Sequence, residues 1–296
     1  SGVSGGPSML VPRTDEEERI AAAWESELER VEGAYRAAGS DAAAGWTAWQ
    51  PAGATGSNGP EPRPEEDGSY RVVGQSPVYS TYVLEGETDA LRRVAALRLE
   101  VLPDGGPGRS RNRNFVLQEI RVARRAAGSD EWVAVPLATA RADFEQDTTD
   151  EGGAAYPVRG ALPGEDGPGW AIKPEFATPH AAVFTLVEPL EVAPGDELQV
   201  ELQQEHGGNH TLGRFLVLLA EGAAAADVEL APEAWGAAWA AVLEHRKTRP
   251  RLPSTLVLVE RETPRVTRRF ERGSFLDPKE VVERRGLAGR SAIRAR

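Results

Sequence analysis

Apolar residues recur along this chain with two different periods, and the change of period marks out its parts. In residues 14–38, TDEEERIAAAWESELERVEGAYRAA, Ile20, Trp24, Leu28, Val31 and Tyr35 return at helical spacing. Thr14 can cap the first backbone N–H groups, and Glu16 and Glu17 suit the positive end of the helix dipole. Gly39-Ser40 is expected to end the helix. Residues 51–68, PAGATGSNGPEPRPEEDG, are so rich in proline and glycine that no regular element is expected there.

Short apolar runs then follow at residues 79–84, 94–102, 115–123, 132–137, 169–172, 181–186, 197–202 and 213–219, separated by turn signals. Several alternate with period two, as in Ala96-Leu97-Arg98-Leu99-Glu100-Val101 and Leu198-Gln199-Val200-Glu201-Leu202. That alternation predicts an antiparallel β-sandwich or jelly roll with one face of each sheet buried. A second helical pattern occupies residues 223–244, with Pro232 in its first turn and Trp235, Trp239 and Val242 on one stripe. Residues 255–260 read as a strand leading into an arginine-rich end.

The expected protein is therefore mainly β. It has a flexible N-terminus over 1–13, a helical lead-in over 14–45, the sandwich over 46–222, a helical linker over 223–250 and an extended basic tail over 251–296.

Charge sharpens this division. The net charge is −12, yet residues 246–296 hold 15 Lys and Arg against 6 Asp and Glu, so the preceding body is strongly acidic. A basic tail on an acidic body predicts intramolecular complementarity or an anionic partner. The acidic body argues against nucleic-acid binding. No apolar run approaches the roughly 18 residues of a membrane span. The absence of cysteine removes disulfides, thiolate zinc sites and CxxCH haem attachment together. The N-terminal SGVSGGPSML is not a signal peptide and reads either as an added leader or as the mature end left by processing.

Four motifs fall in a distinctive order: ALRLEVLPDGGPGRSRNRNFVLQEI, then ADFEQ, then GPGWAI with His180 and Val183-Phe184 behind it, then HTLGRF. In this order the chain resembles the sandwich segment of planctomycete-type cytochrome c proteins, which are large exported multidomain proteins. The segment TLVLVERETPRVTRRFERGSFLDPKEVV resembles the opening of the domain of unknown function that follows in that family. The resemblance spans residues 14–285. It departs from the family pattern at Arg113, where the family tends to have Gly, and at Arg159-Gly160, where it tends to have Asp-Gly. It implies a discoidin-like, galactose-binding-like jelly roll, an extracytoplasmic (periplasmic or cell-surface) location, and a fragment or subunit of a larger arrangement. No haem motif is present, so haem would come only through a partner chain.

The loop GPGRSRNRNF lacks the lysine and the following helix of a phosphate-binding loop. Two readings remain: a tight connection in which Asn112 and Asn114 bond backbone, or a ligand-binding rim with Arg109, Asn112 and Asn114 as contacts. Trp46, Trp49 and Trp170 lie in or beside predicted loops, where a carbohydrate module presents stacking platforms, although Trp170, within GPGWAI, sits where a tryptophan is more often a core residue between sheets. Asp67 in EEDGS and Asp104 in LPDGG are candidates for a structural calcium ion, or simply Asp-Gly turns.

His206 and His210 in HGGNH are the close histidine pair. The two glycines between them argue against a helical zinc site, so His210 is expected to pack ahead of TLGRF with Asn209 shaping the turn. No GxSxG elbow exists, and acid clusters such as Glu65-Glu66-Asp67 read as a solvated face.

The sequence thus points to a non-catalytic, exported binding or adaptor module, with a glycan as its small ligand and Arg109, Asn112, Asn114, Trp170 and Trp46 as contacts. The alternative is a structural subunit that docks other protein chains of a larger complex, with haem in a partner.

Overall fold

The computed structural model describes residues 8–10, 14–43, 45–51, 53–88, 93–103, 108, 110, 112–147, 153–222, 233–250, 254–256, 268–270 and 278–281. Two compact units result. One comprises Ala23–Arg249, and the other joins Ser1–Ala22 to Pro250–Arg296. In the second unit, strand β1 (Ser8–Leu10) pairs antiparallel with β14 (Ser254–Leu256), and β15 (Arg268–Phe270) pairs with β16 (Pro278–Val281). The strand expected at 255–260 is thus seen as Ser254–Leu256, and residues 257–260 lie outside the described residues.

Helix α1 (Asp15–Ala42) opens as its sequence predicts. Thr14 Oγ1 accepts from Glu17 N at 3.3 Å, and Glu17 Oε2 accepts from Thr14 N at 2.8 Å, a reciprocal capping box. The helix does not stop at Gly39-Ser40. A Cβ on Gly39 would lie 3.0 Å from Trp235 Nε1, so this glycine serves close packing rather than termination.

The larger unit is a mainly β, antiparallel sandwich. Its strands in chain order are β2 (Thr47–Ala48), β3 (Gly53–Gly56), β4 (Pro60–Pro64), β5 (Tyr70–Gly74), β6 (Ser80–Glu87), β7 (Arg93–Val101), β8 (Glu119–Arg125), β9 (Trp132–Ala134), β10 (Leu137–Ala142), β11 (His180–Glu191), β12 (Glu197–Gln204) and β13 (Arg214–Ala220). The large sheet runs β10-β11-β7-β13-β5-β4, with β2 also on β13, and the five-stranded sheet runs β3-β6-β12-β8-β9. Leu97, Leu99 and Val101 of β7 and Phe215 and Val217 of β13 pack in one core with Tyr82, Leu84, Val200 and Leu202 from the other sheet. Phe215 stacks between Tyr70 and Tyr82, with ring centroids 5.5 and 5.9 Å away.

The proline-rich stretch 51–68 contradicts its sequence reading, because it holds β3 and β4. Glu65 N donates to Ser69 O, which fixes the register of the β4–β5 hairpin. In that register Pro60, Pro62 and Pro64 occupy the positions whose nitrogens point away from β5, so no ladder bond is lost. Residues 115–118 and 169–172, expected as strand, are instead extended segments joined by the single bridge Leu117–Trp170.

Helix α2 (Glu233–Lys247) buries Trp235, Trp239 and Val242, the stripe its sequence predicts, while Pro232 lies outside the described residues. It runs antiparallel to α1. Trp24 stacks on His245 at 5.1 Å, Glu32 pairs with Arg246 at 2.8 Å, and Tyr35 packs on Trp239 at 5.0 Å. Trp235 then meets Leu102, just beyond β7, which places this end of the pair beside the outward face of the large sheet.

Candidate functional site

The rim loop is a tight connection. A Cβ on Gly108 would sit 2.1 Å from Asn114 O, so the backbone approach there admits only glycine. Asn112 Oδ1 accepts from Asn114 N at 3.1 Å and lies 2.6 Å from Ser110 Oγ, an Asx turn, and Arg113 takes φ +66°. Asn112 remains exposed. Arg109 and Asp104 lie outside the described residues.

Asn114 and Trp170 do not suit the ligand role expected of them. Asn114 is buried; its amide donates to Gln146 Oε1 at 3.1 Å and its oxygen accepts from Ile172 N at 3.2 Å, tying three segments together. Trp170 is 0% exposed, donates to Phe144 O at 2.9 Å and meets Phe115 edge-on. Both belong to the core, and neither presents a surface to a sugar.

Asp67 is not placed to hold calcium. Its Oδ1 accepts from Ser69 N and Oγ at 3.0 and 2.6 Å, and its Oδ2 accepts from Arg214 at 2.5 Å. Burial opposes ionisation at Asp67, yet the Ser69 bonds and the Arg214 charge outweigh it and hold the carboxyl below its ordinary range. A cation here would have to displace a guanidinium. Among the described residues no group of three or more His, Asp or Glu side chains is arranged to hold a metal ion.

Trp46 and Asp67, chosen separately from the sequence, line one cleft together with Tyr35, Arg36, Glu100 and Trp235. The cleft has a volume of about 420 Å³. Tyr35, Arg36 and Asp67 also line an adjoining cavity of about 840 Å³ with Arg71, Arg214 and Trp239. Their linings mix aromatic and ionic side chains. Trp46 and Trp239 each bury an indole N–H that meets no acceptor among the described residues.

Sequence reasoning missed Glu100 and Arg98. Both sit on the outward face of β7, where alternation predicts solvent, yet Arg98 is 0% and Glu100 3% exposed. They pair at 2.8 Å. Burial pushes the Glu100 carboxyl up to about 7, against the pull of Arg98, and the charge of Asp143 adds to the rise. Asp143 is held in turn by His180 Nδ1 at 2.7 Å and by Ala181 N at 2.7 Å. Trp49, also a loop tryptophan in the sequence, is buried with its N–H on Glu87 O at 2.9 Å.

Among the described residues no helix is long and apolar enough to cross a membrane. No known protein family matches the chain, and neither does any curated protein or solved structure at a significant level.

Proposed function

We propose that this chain is a non-catalytic binding module built on a galactose-binding-like jelly roll, working outside the cytoplasm, and that it takes a glycan in the cleft between the helix pair and the large sheet. The observation that carries the reading is the composition of that cleft, which combines the aromatic Tyr35, Trp46 and Trp235 with the ionic Arg36, Asp67 and Glu100. Sugars bind where apolar ring faces meet a few fixed polar groups. The reading of binding rather than catalysis is supported by the ion pairs that engage both carboxylates, Glu100 with Arg98 and Asp67 with Arg214.

Isothermal titration of the full chain against a panel of neutral and acidic oligosaccharides, with and without calcium, tests this. Saturable heat that is weakened by Arg36→Ala, an exposed position, supports the cleft. Heat with no member of the panel, or release of reducing ends from a bound one, overturns the reading.

A second reading keeps the likeness to the planctomycete-type cytochrome c proteins in view: a structural subunit docking other chains, with haem supplied by a partner. It draws on a groove of about 500 Å³ where β9 leads toward β10, lined by Val133, Pro136, Val187 and Pro189 together with Glu131, Glu188, Glu191 and Arg124, an acidic balance at its edge. Val133 and Val187 are 59% and 55% exposed there, and the acidic edge suits a basic segment of the partner. Native mass spectrometry of material from the source, with an optical spectrum of the same sample, separates the two readings.

A further inference from the structure

The sequence argues against a metal at HGGNH because glycines break the helix that would align its histidines, but the loop aligns them by another route. Gly207, Gly208 and Asn209 take φ values of +90°, +61° and +63°, three consecutive residues in the left-handed region. Glycine takes such values freely and asparagine tolerates them, so this composition permits the run and its surroundings select it. Here Asn209 supplies the constraint: its Nδ2 donates to Ser76 O at 2.6 Å and Pro77 O at 2.8 Å, and its backbone N donates to Val78 O at 3.2 Å. The chain therefore doubles back, and the His206 and His210 rings meet edge to face with centroids 5.1 Å apart.

The two imidazoles are also chemically prepared. His210 Nδ1 donates to Gly207 O at 2.8 Å, which leaves the Nε2 lone pair available and fixes the ring. A ring N–H held by a backbone carbonyl is the usual support of a metal-binding histidine. His206 is exposed, touches Tyr156 edge-on at 5.6 Å, and makes no hydrogen bond among the described residues. Two imidazoles on a tetrahedral zinc ion hold their nitrogens roughly 3.4 Å apart, a separation that rotation of the unbonded His206 ring against the fixed His210 ring can approach.

We infer that His206 and His210 form a two-histidine site for a borderline divalent transition ion, of which Zn²⁺ is the type. A surface cavity of about 460 Å³ bounded by Ser110, Asn112, Gly208 and His210 adjoins it. With no third metal-ligating side chain grouped there among the described residues, the remaining positions fall to water or to a donor brought by a bound molecule.

Zn²⁺ titration of the full chain by calorimetry tests the site, with Cu²⁺ as a spectroscopic probe. One equivalent should bind, and the Cu²⁺ electron-spin resonance should show coupling to two imidazole nitrogens. His206→Ala should weaken binding at least about tenfold while leaving thermal unfolding unchanged. Gly208→Ala keeps both imidazoles but places a Cβ 2.9 Å from His210 Nδ1 in a left-handed backbone, and it too should weaken binding. Absence of saturable binding, or wild-type affinity in either variant, overturns the inference.

Discussion

Toward the five-stranded sheet, β7 presents Leu97, Leu99 and Val101; on its other face it presents Ala96, Arg98 and Glu100. Both faces are buried, but they are sealed differently. The inward side chains meet a facing sheet whose strands alternate in step with their own. The outward ones are enclosed by residues distant in sequence, since Glu100 shares its cleft with Trp46 and Trp235. An inward position stabilises through apolar contact. An outward one carries a desolvated charge pair, which costs free energy and tunes a carboxyl group. Burial alone therefore does not tell packing from chemistry; the partner that does the burying does.

The largest effect should come from the inward side. Phe215→Ala removes a ring held between Tyr70 and Tyr82 and is expected to cost about 3–5 kcal/mol by denaturant unfolding. A loss below about 1 kcal/mol would mean that the two sheets are not packed as described.

Next comes Glu100. Its folded value of about 7 lies above the ordinary 4.5, so between these pH values the native state keeps a proton that the unfolded chain has released. Its stabilising contribution is complete below about pH 4.5 and is lost as pH rises through 7, about 3 kcal/mol in all. Unfolding curves compared with those of Glu100→Gln should show this decline in the native chain and not in the variant. Parallel curves would place Glu100 in water.

Two tryptophans give the finest contrast. Trp170→Phe abandons the acceptor at Phe144 O and should cost about 1–3 kcal/mol. Trp46→Phe removes an N–H that has no acceptor, and should change stability by less than about 1 kcal/mol in either direction. Thermal melts of the pair order the two; equal losses would break the distinction between core and cleft.

The inward half of this arrangement was legible in the sequence. Period-two alternation in β7 and β12 and the helical stripe of α2 follow from local geometry, and residues such as Leu97, Leu202 and Trp239 are buried as those patterns require. The outward half was not. Alternation assigns Arg98 and Glu100 to solvent, and only a long-range fold-over reverses that. Trp170 was misplaced for a related reason: its neighbours Gly167, Pro168 and Gly169 look like an exposed loop, yet a Cβ at Gly169 would lie 2.3 Å from Leu117 O, so that glycine presses the backbone into the core. Glycine signals both turns and close approach, and composition alone does not separate them. HGGNH illustrates the same ambiguity, since its glycines break a helix and also permit the reversal that joins two histidines.

The prolines of β4 have a consequence for how molecules of this protein meet one another. β4 closes one end of the large sheet, and the nitrogens turned outward along it belong to Pro60, Pro62 and Pro64. A sheet edge ordinarily recruits further strands by offering a row of alternating donors and acceptors. This edge has lost its donors at three successive positions, so an approaching strand finds carbonyls alone and cannot zip onto it. The large sheet is thereby protected at that end against uncontrolled edge-to-edge growth.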